Sequence, residues 1–154
     1  MDADQLLHAL ALSVGMPDLR FDDNGCACIA VDGGPAVNFE REAKGSAIHV
    51  YSVIGPLPPE NREAVSRQLL DGNLFGTATA GASLAVDTLR DEVLLCRTFG
   101  SDVASGAAFV ADVEGFVAAA EDWQERLKRP VEDEEGPILR PTRPNDMLNQ
   151  LMRA

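Results

Sequence analysis

Three turn signals at short intervals constrain this chain more than anything else in it: Asn24–Gly25, Gly33–Gly34–Pro35 and the pair around Lys44–Gly45. Asn-Gly and Gly-Gly reverse a chain tightly because they accept positive φ at little cost. The runs after them are short and β-prone: 26–32 (Cys-Ala-Cys-Ile-Ala-Val-Asp), 36–43, and 46–54 (Ser-Ala-Ile-His-Val-Tyr-Ser-Val-Ile). In 36–43, Val37, Phe39 and Arg41 alternate with Asn38, Glu40 and Glu42, the period of a strand with one packed face and one wet face. Three such strands joined by short loops predict an antiparallel meander.

Helical spacing surrounds this block. Leu6, Leu7, Leu10, Ala11 and Val14 predict an amphipathic helix over 3–14, with Asp2 or Asp4 as N-cap, Gly15 as the stop and Pro17 beyond it. Gly55-Pro-Leu-Pro-Pro ends the sheet, and its prolines suit the first turn of a second helix over 59–71, whose apolar side is Val65, Leu69 and Leu70. A third helix over 105–128, capped by Asp102 or Ser105 and ended by Pro130, carries the stripe Phe109, Val113, Phe116, Ala120, Trp123 and Leu127.

Between the second and third helices the chain breaks at Gly72–Asn73, shows the apolar pair Leu74–Phe75, and crosses a Gly/Ala/Thr-rich passage to Gly81. Two strand-like runs follow, 83–88 and 92–99. Leu74 and Phe75 follow a helix stop, where a lone chain offers little to cover them. They either meet a second subunit or partner, or close the local core. The order helix, three strands, helix, two strands, helix is that of an α+β domain.

From Val131 the composition shifts. Glu132-Asp-Glu-Glu135 is followed by Pro137, Pro141 and Pro144, so 131–144 reads as a flexible, acidic, proline-broken linker. Asn145 can cap one or two terminal turns that present Met147, Leu148, Leu151 and Met152, with fraying as the plainer alternative to docking. The expected organisation is a domain over 1–130 and a tail over 131–154.

The formal net charge of −12 disfavours nucleic acid or an anionic membrane surface as partner. No apolar run approaches the ~20 residues of a membrane span. Met-Asp-Ala-Asp-Gln has no basic region followed by an apolar one, and three cysteines are an odd number, so reduced thiols in a cytoplasmic protein are expected.

Signs of chemistry are sparse. His8 and His49 stand in no HExxH motif and near no cysteine pair at zinc spacing. Cys26 and Cys28 share one side of a strand, where a metal or redox pair is the sharper reading and two small packed residues the plainer one. No GxSxG elbow is present, and Gly72, Gly76 and Gly81 lack the Lys-Ser/Thr of a phosphate loop. Asp22–Asp23 beside Asn24–Gly25 reads as a solvated turn. No nucleophile, base and orienter come together. The expectation is a binding module without catalytic residues, metal or cofactor, whose strand edges and shallow apolar pockets accept another polypeptide.

The stretch Phe21-Asp-Asp-Asn-Gly-Cys-Ala-Cys-Ile-Ala-Val-Asp resembles the first strand region of class I type III secretion chaperones, the group typified by the Tir chaperone (CesT family). So do Leu69-Leu-Asp-Gly-Asn-Leu-Phe with Ala82-Ser-Leu-Ala-Val-Asp, then Glu92-Val-Leu-Leu-Cys-Arg, and the last helix with Phe116-Val and Trp123. The likeness runs over roughly 3–128 in the same element order.

The resemblance implies a cytoplasmic bacterial homodimer that keeps the N-terminal region of a secreted effector extended, soluble and ready for the export apparatus, without ATP. It places the dimer interface on the second helix and the following strand, here Val65, Leu69, Leu70, Leu74, Phe75, Leu84 and Val86. It places effector contacts on the first helix and the meander, here Leu6, Leu10, Cys28, Ala30, Val37, Phe39, Ile48 and Val50. The strand faces stay open at this point, because a one-residue slip moves every side chain to the other side. The 131–154 tail exceeds what the family core needs; it covers a groove, contacts the effector, or has no role. Two other classes remain: a regulator or adaptor on the same fold that binds a folded protein, and, more distantly, a thiol enzyme using Cys26 and Cys28.

Overall fold

A computed structural model describes residues 1–43, 47–100, 102–129 and 131. The element order is α1 (Ala3–Ser13), β1 (Cys26–Ile29), β2 (Val37–Arg41), β3 (Ile48–Pro56), α2 (Arg62–Gly72), a short 3-10 turn (Leu74–Gly76), β4 (Ser83–Asp87), β5 (Glu92–Phe99) and α3 (Gly106–Lys128). The α+β order expected from the sequence is the order observed.

Helix ends follow local chemistry. Asp2 caps α1 in a reciprocal box: its carboxylate accepts from the Gln5 N–H, and the Gln5 side chain accepts from the Asp2 N–H. Ser105 caps α3 by accepting from the Ala108 N–H at 3.1 Å. The second helix differs from expectation. It starts at Arg62, behind Asn61 in the left-handed region at φ 53°, rather than at the prolines. Pro58 and Pro59 each push the residue before them towards extended backbone, so the strand runs on to Pro56 and the helix is delayed.

All strand pairs are antiparallel, in the order β1-β2-β3-β5-β4. The meander β1-β2-β3 is as expected, and the last two strands join it through β5, leaving β1 and β4 as edges. Alternation along β3 gives the sheet one buried side: Ile48, Val50 and Ile54 turn in with Val37 and Phe39 of β2 and Val93, Leu95 and Phe99 of β5. Helix α3 lies on β3 and α1 packs on α3, adding Leu6, Leu7, Leu10, Phe109, Phe116 and Trp123 to one core. Phe99 and Phe109 meet edge to face at 5.0 Å, the arrangement favoured by ring quadrupoles. Ser52 enters this core on β3 with its hydroxyl unpartnered.

The passage between α2 and β4 is held by specific contacts. Gly72 closes α2 directly beneath Trp123; a Cβ there would sit 2.2 Å from the indole, so only glycine fits. The indole N–H donates to the Ala78 carbonyl at 2.8 Å. Arg97 donates to the Ala80 carbonyl, pairs with Asp112 of α3 at 3.2 Å and stacks on Phe99. Asn73 completes the set: its Nδ2 donates to the Leu84 carbonyl at 3.1 Å, and its Oδ1 accepts from the Leu84 N–H at 2.7 Å. The tail over 132–154 lies outside the described residues, with the expected linker and terminal turns.

Candidate partner-binding surfaces

Two surfaces stand out. The first lies at the end of α2. Leu70, Leu74 and Phe75 are 70%, 48% and 85% exposed. Phe75 is also held at φ 58°, ψ 8°, a left-handed conformation that costs a side chain with a Cβ ~1–2 kcal/mol. A large apolar side chain both strained and exposed gains nothing inside one chain, so the alternative that Leu74 and Phe75 close the local core does not describe this protomer. The other residues named for the dimer interface have different places. Val65, Leu69 and Leu84 are buried in the protomer core, and Val86 is half-buried against it.

The second surface runs along β1. The Cys26 N–H and carbonyl face away from β2, where Asp22 partners both of them. By the alternation of an antiparallel ladder, Cys28 and Ala30 turn their own N–H and carbonyl to the same open edge. Beside that edge lies an apolar groove of about 370 Å³, bounded by Ile29 at the end of β1, Val31 beyond it, Leu10 and Val14 of α1, and Val113 and Val117 of α3. Glu114 and Glu121 stand among the groove's lining residues. The volume is within the range of about 300–1,000 Å³ typical of ligand clefts.

Of the residues named for effector contact, Cys28 and Ala30 lie on this edge and are exposed. Leu6, Leu10, Val37, Phe39, Ile48 and Val50 are instead core residues, because the sheet turns these positions towards the helices. Leu10 and Val37 still reach the groove as lining residues. The residues missed in the sequence are Ile29, Val31, Val113 and Val117. Their signal was available in the alternation of 26–32 and in an i, i+4 valine pair on α3, but only the fold brings them together.

The open side of the sheet carries the thiols. Cys28, Asn38, Tyr51 and Cys96 form one cross-strand row, and Cys26, Glu40, His49 and Thr98 the next. Partial desolvation, with the Asp22 and Glu40 carboxylates adding, raises the Cys26 thiol above its ordinary value; burial raises Cys96. Raised thiols hold their protons and make poor nucleophiles. His49 Nδ1 lies 3.0 Å from the Thr98 hydroxyl. Among the described residues no three His, Cys, Asp or Glu side chains come together as a metal site, and no helix is long and apolar enough to cross a membrane.

Known proteins resemble this chain in sequence or in fold. A protein of Chlamydia pneumoniae is 28% identical over 122 residues, spanning 78% of this chain and 92% of its own length. The structure of the HopA1–SchA chaperone–effector complex contains a chain of the same fold, with a TM-score of 0.64 at 20% identity, covering 78% of this chain and 91% of that one. So does the heterodimeric ExoU–SpcU complex from the type III secretion system of Pseudomonas aeruginosa, with a TM-score of 0.59 at 20% identity, covering 81% and 93%. Residues 5–124 match the model of the Tir chaperone protein (CesT) family, most of the chain and every element from α1 into α3, and the chain therefore belongs to that family.

Proposed function

We propose that this protein is a cytoplasmic type III secretion chaperone that, as a homodimer, holds the N-terminal segment of one or more effectors extended and ready for export, without ATP. The observation that carries the reading is the open β1 edge running beside an apolar groove. An extended client segment adds to such an edge through backbone hydrogen bonds and drops alternate side chains into the groove. Cys28 and Ala30 supply the backbone partners, and Ile29, Val31 and Val117 meet the client's apolar side chains. Covering apolar client side chains prevents aggregation, and the order imposed on the segment is given up on release. Membership of the CesT family supports this role, as does a fold shared with a chain from a chaperone–effector complex.

Self-association uses Leu70, Leu74 and Phe75, which are exposed together at the end of α2. The export apparatus is the partner that receives the loaded complex. The reading needs no catalytic group.

Affinity capture of the full chain from its own cells, with mass spectrometry and light scattering of the complex, tests the reading. One dominant secreted protein, held through its N-terminal region at two chaperones per client, is the expected result. Recovery of a bare dimer, or of folded regulators, overturns it in favour of an adaptor on the same fold.

A further inference from the structure

We propose that residues 138–152 of this chain occupy the groove between β1, α1 and α3 when no client is bound, as an internal competitor. The proposal rests on the reading of that groove as the client site.

Chain length puts the segment within reach. Helix α3 ends at Lys128, and Val131 packs against the core cluster. Val117, on the groove wall, lies eleven residues before Lys128, a distance of ~17 Å along the helix at ~1.5 Å per residue. Extended chain at ~3.3 Å per residue returns that distance in about five residues. Five residues, Glu132 to Gly136, separate Val131 from Pro137. They include nothing that an apolar groove would hold, and they serve as the connector.

Composition then matches the destination. Residues 1–131 carry twenty acidic and ten basic side chains, whereas 137–154 carry three arginines against Asp146 alone. This basic stretch also holds Ile138, Leu139, Leu148 and Leu151, while the groove is aliphatic with Glu114 and Glu121 among its lining residues. A short tether gives an effective concentration of order mM, so a contact too weak to form between separate molecules still fills the groove. Pro141 and Pro144 have no N–H to give the β1 edge. A client with a full set of amides therefore displaces the tail.

The test is photo-crosslinking in the full-length chain with Leu148→p-benzoylphenylalanine. The expected product is an intramolecular crosslink to 113–121 of α3 or to 10–14 of α1, reduced at least fivefold when Arg140→Glu and Arg143→Glu are added. Crosslinks to the open side of the sheet, to 69–75, or only between chains overturn the proposal. Capture from cells with the full-length Val117→Arg variant separates the two readings. Loss of the client with crosslinks mapping elsewhere removes the tail from the groove and leaves the chaperone reading standing. Undiminished client capture with the crosslink in the groove removes the client site, and with it the competition.

Discussion

The side-chain amide of Asn73 takes both backbone hydrogen-bonding groups of Leu84, standing where the next strand of the sheet would stand. Exposed edges of this kind invite unwanted pairing, and proteins cover them. Here the residue that follows the last turn of α2 covers β4 at Leu84, while β1 at the other end stays open at Cys28 and Ala30. Asn73→Ala leaves the Leu84 N–H and carbonyl without their partner and should cost about 2 kcal/mol. Urea denaturation of the two proteins measures it, and an unchanged midpoint would show that water replaces the amide without loss.

Phe75 is exposed and strained within its own protomer, and the proposed dimer is where it would gain contact. Phe75→Gly relieves the left-handed strain and should raise protomer stability by about 1 kcal/mol. The same change should weaken self-association, and Leu74→Asp or Phe75→Asp should abolish it by placing an unpaired charge in an apolar contact. Sedimentation at several concentrations separates these effects from folding. Dimer mass retained in both aspartate variants would move the interface elsewhere.

The open edge has its own test. Ala30→Pro removes one outward N–H without touching the pairs between β1 and β2. Loss of a backbone hydrogen bond worth ~1 kcal/mol should lower client affinity about fivefold. The far-ultraviolet circular dichroism should stay unchanged. Wild-type affinity in a folded Ala30→Pro protein would rule out strand addition at this edge.

A surface pair links the start of α2 to the β4–β5 turn: Arg62 donates to both carboxylate oxygens of Asp91, at 3.1 and 2.7 Å. The hydrogen bonds and charge of Arg62 hold the Asp91 carboxyl below its ordinary value. A carboxylate lowered in the fold contributes its stability above the unfolded value of ~3.9, and that contribution is lost as pH falls through the lower folded value. In Arg62→Ala, the Asp91 carboxyl resonance should titrate at higher pH than in the wild type. The acid limb of the stability profile should flatten slightly, because the pair is exposed.

How much of this was legible in the sequence depends on range. Asp2, Ser105, Gly15 and the Asn24–Gly25 turn act within a few residues, and they mark element boundaries close to those observed. The prolines after Gly55 misplaced a helix start, because their constraint falls on the residues before them. Strand faces were not legible. Alternation in 36–43 has a period but no sign, and only packing under α1 and α3 sends Val37 and Phe39 inward. The roles of Gly72 and Asn73 were hidden for the same reason: Trp123 lies far along the chain from Gly72, and Leu84 lies across a loop from Asn73. A helix stop was readable there; a bearing surface and a strand substitute were not.

The covered β4 edge also sets a valence. With Leu84 on β4 taken by Asn73 and Cys28 and Ala30 on β1 open, the proposed strand addition gives each protomer one seat for an extended segment. In the proposed dimer, two protomers joined at their α2 ends would offer two such seats. A client that fills both must supply two strand-forming stretches, separated by enough chain to travel from one seat to the other. Spacing between those stretches, more than their individual composition, then decides which secreted proteins such a pair can carry.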